Sequence, residues 1–141
     1  IITQLIKNKN KKINIGNINS SRDFVYVKDT VEGLIRLMKS NKVIGEVINI
    51  SSNNSYSIKE IISILSNYTK SKPKVIVENK RLRKSELNKL HGSNKKIYRL
   101  IKWKPKYSSK ENFKKALIET YKWFQEPKNL KNYKNINKYN I

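Results

Sequence analysis

Apolar residues recur at helical spacing along much of the chain. Val31, Leu34, Ile35 and Met38 lie at i, i+3, i+4 and i+7, which predicts one apolar face of a helix. The same spacing predicts helices over residues 1–7 and 95–101, over Ile58, Ile61, Ile62, Leu65 and Tyr68, and over Phe113, Ala116, Leu117, Tyr121 and Phe124.

Each of the three longer helical patterns follows a helix-start signature. A Ser or Asp side chain can accept the backbone N–H three residues on, while a Glu at that position reaches back to the cap. The pairs are Asp29 with Glu32, Ser57 with Glu60, and Ser108 with Glu111. These pairs predict that Asp29, Ser57 and Ser108 are helix N-caps.

Four runs favour β-structure: Lys12–Ile15 and residues 24–27, 46–50 and 74–78. The run 46–50 (EVINI) is apolar enough to predict a buried strand. Strands that alternate with helices are typical of an α/β fold.

The length of 141 residues allows one domain with one modest core. We assign it to residues 1–126, because residues 127–141 are Lys, Asn and Tyr without periodicity and predict a disordered basic tail. The chain opens in the middle of an apolar stretch, so we expect the packing partners of helix 1–7 in a preceding segment.

The formal net charge of +22 comes from 32 Lys and Arg against 10 Asp and Glu. Most of the excess is Lys, accompanied by many Asn and Ile, and A/T-rich codons encode all three. We therefore interpret the charge as diffuse and expect no nucleic-acid partner, although a basic nucleic-acid-binding module remains a distant alternative.

Other features narrow the functional class. No run approaches the roughly 18 consecutive apolar residues of a membrane helix, so we expect no membrane partner and a cytoplasmic location. The chain has no Cys, and its one His, His91, has no neighbours at ligand spacing, so no metal site is expected.

Three segments, in order, resemble the extended short-chain dehydrogenase/reductase superfamily of nucleotide-sugar epimerases and 4,6-dehydratases. Residues 21–38 (SRDFVYVKDTVEGLIRLM) are similar to its R-D-[FWY]-x-[YH]-V-x-D segment, and residues 45–61 (GEVINISSNNSYSIKEI) to its strand, loop and helix. Residues 81–103 (RLRKSELNKLHGSNKKIYRLIKW) resemble the family's R-x-R-P-x-x-S-E ending, most like dehydratases of the GDP-mannose and legionaminic-acid type.

The resemblance implies the C-terminal part of a Rossmann-type enzyme, with the last Rossmann elements and the small substrate-binding domain. A preceding half would bind NAD or NADP and carry the Ser/Thr and Tyr-x-x-x-Lys catalytic group, and the complete enzyme would form a homodimer. The implied activity is a nucleotide-sugar 4,6-dehydratase of surface-polysaccharide synthesis. A 4-epimerase of the same superfamily is the alternative, and a non-catalytic remnant is a distant one.

The chain alone contains no catalytic residue that fits this family. The Gly-rich phosphate loop is absent, because the four glycines are scattered. Tyr-x-x-x-Lys occurs at Tyr68/Lys72 and Tyr98/Lys102, but neither pair begins a helix after a strand. We interpret both pairs as accidents of a Lys-rich composition.

The resemblance implies that Arg22 and Arg83 bind the nucleotide diphosphate. A planar guanidinium can bridge oxygens of two phosphates, which Lys does less specifically. The family's Pro after the second Arg is missing, so Arg81 could take the place of Arg83. The alternatives are a local Arg22–Asp23 ion pair and a solvated charge run.

Three further residues are candidate sugar-nucleotide contacts by the same resemblance. Asn54 lies in the loop after EVINI, but Asn also suits a turn. Ile13 and Ile15 flank a strand whose backbone would meet the base, and an ordinary core role fits them equally well. We interpret Trp103 and Pro105 as residues that pack at a corner of the fold, and not as residues of the site. We call this pair the packing corner.

Overall fold

A computed structural model describes residues 1–8, 12–82, 85 and 87–131. In these residues helices and strands alternate along the chain, as an α/β fold requires. The elements are α1 Ile2–Lys7, β1 Lys12–Ile15, β2 Ser21–Arg22, α2 Val27–Met38, a 3₁₀ turn Asn41–Val43, β3 Tyr56–Ser57, α3 Ile58–Tyr68, β4 Lys74–Val77, a 3₁₀ turn Asn79–Arg81, β5 Lys89–Leu90, α4 Lys95–Ile101, α5 Lys110–Gln125 and α6 Pro127–Lys131.

The chain divides into two compact units, where the sequence suggested one domain. The first unit combines the described parts of Ile1–Ser20, Ser57–Glu86 and Leu117–Ile141, and the second combines Ser21–Tyr56 with the described part of Leu87–Ala116. Each unit is built from segments that are distant in sequence.

The first unit has a dry aliphatic core beneath a parallel strand pair. β1 pairs with β4, with Ile13 opposite Val75. Ile13 and Ile15 are 0% and 8% exposed and pack with Ile62. Alternate positions of a strand point to the same face, so both Ile side chains reach one core.

Helix α1 packs against one side of this core. Leu5 contacts the core cluster. The Gln4 side chain donates to the Asn14 carbonyl at 3.1 Å and accepts the Asn14 N–H at 2.7 Å. No residue of α1 is fully buried, and further packing partners in a preceding segment stay a prediction.

Helix α3 begins at the capping box that the sequence predicts. Ser57 Oγ accepts the Glu60 N–H at 3.1 Å, and Glu60 Oε2 accepts the Ser57 N–H at 2.7 Å. The helix buries Ile61, Ile62 and Leu65 in the first unit. The cap and the apolar spacing therefore agree with the structure.

In the second unit, β2 is the central strand of a sheet of order β3-β2-β5 and runs parallel to β5. The predicted strand at residues 24–27 is wrong, since residues 23–26 have no regular structure. The Phe24 ring lies 6.3 Å from the Phe113 ring, and Tyr26 packs edge-on at 4.7 Å from Tyr107. These aromatic side chains pack on other rings, so their β-propensity does not decide the backbone here.

Asp29 is not the N-cap of α2, which is Tyr26 without a side-chain cap bond. Asp29 lies inside the first turn and is 3% exposed. Its two carboxylate oxygens accept the N–H groups of Lys106 and Tyr107, both at 2.9 Å. The carboxylate thus satisfies backbone donors distant in sequence instead of those of its own helix.

Helix α2 buries Gly33 and leaves its apolar stripe exposed. Val31 and Leu34 are each 49% exposed, and Met38 is 86% exposed. The fully buried Trp103 indole packs so closely on Gly33 that an added Cβ would lie 3.2 Å from it. Trp103 and the buried Pro105 form the predicted packing corner.

Two other local predictions differ from the structure. Residues 46–50 form no strand; the Lys96 ammonium donates to the Val47 carbonyl at 2.8 Å and pairs with Glu46 at 2.7 Å. Helix α5 is capped by Ser109, whose Oγ accepts the Asn112 N–H at 3.2 Å, while Ser108 Oγ donates to the Pro105 carbonyl.

The predicted disordered tail begins at residue 127, but Pro127–Lys131 is helix α6. Residues 132–141 of that tail lie outside the described residues. The described helices include none with the length and apolarity that crossing a membrane requires.

Candidate functional site

Strand β2 positions Arg22 at a cavity of the second unit. Arg22 lies opposite Leu90 of β5. Its Nη1 donates to the carbonyls of Ser21 at 2.8 Å and Leu87 at 2.9 Å. A guanidinium has five N–H donors in a fixed plane, and these two bonds help to orient that plane.

The neighbouring Asp23 carboxylate joins three segments of this unit. Oδ1 accepts the Ser52 N–H at 2.9 Å, and Oδ2 accepts those of Asn53 at 3.1 Å and Gly92 at 3.3 Å. A carboxylate makes stronger hydrogen bonds to backbone N–H groups than a neutral acceptor does. Asp23 therefore holds two loops beside β2.

A cavity of about 460 Å³ opens where these loops meet. This volume is in the range of small-molecule sites, roughly 300–1,000 Å³. Its lining includes Arg22, Asp23, Ile50, Ser51, His91 and Gly92.

Ser51 is the unusual polar group of this cavity. The residue is 5% exposed, and its buried Oγ has no hydrogen-bond partner among the described residues. Gly92 passes so close that an added Cβ would lie 2.7 Å from the Ser51 Cβ. A buried hydroxyl without a partner is costly, so a ligand oxygen that bonds to it would gain affinity.

Arg81 belongs to the first unit and is anchored differently. It ends the 3₁₀ turn after β4, and its Nε donates to Glu78 Oε2. This hydrogen bond holds the pKa of Glu78 below its ordinary value. An added Cβ on Gly16 would lie 2.6 Å from the Arg81 carbonyl oxygen, so Arg81 lies against the residue that follows β1.

Arg83 lies outside the described residues, and Arg22 and Arg81 belong to different units. The shared diphosphate role of Arg22, Arg81 and Arg83 stays a prediction. The structure gives Arg22 a cavity and Arg81 a carboxylate partner.

The other candidate contacts have structural roles in their units. Asn54 Nδ2 donates to the Ser108 carbonyl at 3.0 Å, and Asn54 is not among the described residues that line the cavity. The side chains of Ile13 and Ile15 form the core of the first unit. Contact with a sugar nucleotide stays a prediction for all three.

The described residues contain no group of three or more His, Asp or Glu side chains able to hold a metal ion. They also do not fit NAD(P). The four glycines, at 16, 33, 45 and 92, make no G-x-x-G-x-x-G turn that would let a backbone approach a pyrophosphate. The Tyr68 ring, 37% exposed, packs edge-on at 5.7 Å from the buried Tyr121.

Sequence reasoning missed Asp23, Ser51 and His91 as parts of one cavity. Asp23 was considered only as a local partner of Arg22, and His91 only as a metal ligand. The signal that could have found them is Gly92 directly after His91, because a glycine often marks a close backbone approach.

The family model for GDP-mannose 4,6-dehydratase matches residues 1–116. The chain belongs to this family. The match confirms the resemblance to the extended short-chain dehydrogenase/reductase superfamily, and the α/β fold agrees with Rossmann-type epimerase and dehydratase structures.

Individual relatives of this dehydratase-family chain have different activities. A GDP-6-deoxy-D-mannose reductase of Pseudomonas aeruginosa is 26% identical over 108 residues, 77% of this chain and 35% of the reductase. The epimerase Mth375 of Methanothermobacter thermautotrophicus has a TM-score of 0.78 at 26% identity, covering 94% of this chain and 38% of the epimerase.

A third relative was solved with its ligands. The UDP-glucuronic acid 4-epimerase of Bacillus cereus, in complex with UDP-glucuronic acid and NAD, has a TM-score of 0.73 at 26% identity. The match covers 89% of this chain and 38% of that one. The chain thus spans about a third of the length of the curated relatives it matches, such as 35% of the reductase.

Proposed function

We propose that this chain supplies the substrate-binding part of an NAD(P)-dependent nucleotide-sugar 4,6-dehydratase. The observation that carries the proposal is the Arg22 cavity. There an oriented guanidinium and the buried Ser51 hydroxyl, which has no partner among the described residues, line one cavity. Both groups donate hydrogen bonds to anionic oxygens, which is what a diphosphate presents.

Arg22 binds phosphate oxygens in this proposal, and Ser51 donates its hydroxyl proton to a neighbouring oxygen. Asp23 acts as a positioning residue, because it fixes the Ser52 and Gly92 backbones beside Arg22. Contacts to a diphosphate are remote from the reacting sugar carbons. Their binding energy orients the sugar and so lowers the barrier indirectly.

NAD(P) would supply the hydride chemistry when bound, and this chain's residues do not fit it. No catalytic step is therefore assigned to the chain. What we assign to it is the binding of the nucleotide end of the substrate and the ordering of the loops around it.

A binding experiment tests the proposal directly. GDP and UDP titrated calorimetrically into the chain should bind, and Arg22→Ala should weaken binding about tenfold to a hundredfold, since a charge-assisted hydrogen bond contributes roughly 1.5–3 kcal/mol. Arg22→Lys should recover only part of the loss, because it restores charge without the planar fork. Lys114→Ala, on the exposed surface of α5, is the matched control and should bind normally. Equal binding by the Arg22→Ala variant would falsify the assignment.

Product mass separates dehydratase from epimerase. A complete enzyme containing this chain should convert a nucleotide sugar to a product lighter by one water if it is a dehydratase. An unchanged mass with a new sugar configuration would favour the 4-epimerase. The chain alone, supplied with NAD or NADP, should neither dehydrate nor epimerise a nucleotide sugar.

A further inference from the structure

A second cavity in the same unit is lined mainly by cations. Its volume is about 460 Å³, and it lies where the end of α2, the 3₁₀ turn Asn41–Val43 and the end of α4 meet. Five of its eight lining residues are basic: Arg36, Lys39, Lys42, Arg99 and Lys102. It shares no lining residue with the Arg22 cavity.

Helix ends explain only part of this charge. Arg36 and Arg99 lie in the last turns of α2 and α4, where cations complement the negative end of the helix dipole. Two helix ends supply about one negative charge in total, roughly half a charge each. Glu32 adds another by pairing with Arg36 at 2.6 Å. The positive charge of the five cations therefore exceeds the negative charge from the helix ends and Glu32 by about three.

Composition explains the cluster no better. Lys and Arg make up 32 of 141 residues in the chain but five of eight in this lining. Two of the chain's five arginines lie here, although its basic residues are overwhelmingly Lys. Arginine offers planar, bidentate recognition that a merely charged surface does not need.

Among the described residues, the cation heads are not held by one acid network. Glu46 forms its ion pair with Lys96, which does not line the cavity, and interacts with Arg99 only through its charge. Lys102 lies over the Tyr98 ring at 5.2 Å, which leaves its ammonium able to donate hydrogen bonds. The basic residues are therefore concentrated at this cavity, whereas the charge of the chain as a whole is expected to be diffuse.

We propose that this cavity binds a small polyphosphate anion, such as a nucleotide di- or triphosphate, at a site separate from the Arg22 cavity. Several phosphates are needed to balance about three excess charges. A concave site of this volume fits a small molecule. A nucleic-acid strand would instead need a charged track that extends across several elements.

The experiment measures binding of inorganic tripolyphosphate to the chain by calorimetry at low and moderate salt. We expect saturable binding that weakens as salt rises, because the groups are partly exposed and screened. Arg36→Gln with Arg99→Gln should weaken it at least about tenfold, as lost charge-assisted bonds predict. Lys114→Gln with Lys115→Gln removes the same charge from the exposed face of α5 and should change binding less than about twofold.

Further variants guard against misfolding and against binding at the Arg22 cavity. Lys39→Gln with Lys42→Gln changes only exposed residues of the cavity and should also weaken binding. Titrations repeated in an Arg22→Ala background remove the phosphate binding proposed for the Arg22 cavity, and the tripolyphosphate binding that remains should still depend on Arg36 and Arg99. Equal weakening by the cavity and α5 variants would overturn the proposal in favour of general charge. So would absence of binding, or binding of a single-stranded oligonucleotide without binding of tripolyphosphate.

Discussion

The two units stabilise themselves in contrasting ways. The first buries aliphatic side chains, with Ile13 and Leu65 fully buried around one parallel strand pair. The second also buries Trp103 and Ile97 completely, but it adds two carboxylates, Asp23 and Asp29, that accept backbone N–H groups from distant segments. It also keeps the apolar stripe of α2 exposed and holds both cavities described above.

The contrast separates stability from recognition. The aliphatic core of the first unit contributes stability by burial, although the buried Asn14 Oδ1 of that unit also has no hydrogen-bond partner among the described residues. In the second unit, carboxylates fix loops beside a cavity whose lining includes the Ser51 hydroxyl, which has no partner among the described residues. The second unit therefore has the features of a binding region, and the first those of a scaffold.

The sharpest test of the contrast compares two leucines. Leu65→Ala, at a fully buried position of the first unit, should lower the free energy of unfolding by roughly 2–5 kcal/mol through lost burial and a cavity. Leu34→Ala, at a 49% exposed position of α2, should change it by less than about 0.5 kcal/mol. Urea denaturation followed by circular dichroism measures both. A comparable loss at Leu34 would mean that α2's stripe is covered in solution.

Asp29→Ala tests the carboxylate side of the contrast. It leaves the N–H groups of Lys106 and Tyr107 without their acceptor, which should destabilise the protein by roughly 2–4 kcal/mol. Asp29→Asn keeps one acceptor oxygen and should cost less than Asp29→Ala. If both variants were as stable as the parent in urea, the buried carboxylate would not be a support of the second unit.

A smaller effect is expected where the first unit depends on local chemistry. Ser57→Ala removes the α3 cap and should cost about 1 kcal/mol, whereas Ser57→Thr keeps the hydroxyl and should cost less. Thermal unfolding distinguishes the two. An unchanged midpoint for Ser57→Ala would show that packing of α3 alone sets its start.

The smallest effect concerns the pH dependence of the first unit. The Arg81 hydrogen bond, opposed by desolvation and aided by the charge of Lys80, holds the pKa of Glu78 below its ordinary value. Its contribution to stability is therefore present above the unfolded pKa and is lost as pH falls through the lowered, folded value. Arg81→Gln should raise the pKa of Glu78 in a carboxyl-carbon NMR titration.

The same titration sharpens the contrast further. If GDP recruits Arg81 to phosphate, the pKa of Glu78 should rise on GDP addition, because Glu78 loses its hydrogen-bond partner. If the pKa of Glu78 did not change at saturating GDP, Arg81 would not be a diphosphate ligand. Arg22 would then be the diphosphate ligand without Arg81.

Sequence patterns predicted the elements whose causes are local. The α3 capping box, strand β1 and helix α4 each follow from residues within a few positions of one another. Apolar spacing also predicted α2 correctly as a helix. It could not reveal that Gly33, between the apolar positions, faces the buried Trp103.

The failures share a long-range cause. Asp29 has the local signature of a cap, but the donors it satisfies are 77 and 78 residues away. Residues 46–50 have a composition typical of a strand, yet the Val47 carbonyl accepts a hydrogen bond from the Lys96 side chain. The cavity around Arg22 likewise depends on residues from three segments, so only the Arg itself could be proposed from the sequence.

Those long separations also set an order of events during synthesis. The hydrogen bond between Asp23 and Gly92 can form only after Gly92, 69 residues later, has been made. The bonds of Asp29 likewise require Lys106 and Tyr107. Contacts between distant residues form late, because closing a long loop costs entropy before any contact rewards it. A nascent chain in which residues beyond about 90 have not yet emerged therefore presents an unfinished second unit. The Asp29 carboxylate stays hydrated until Lys106 and Tyr107 emerge.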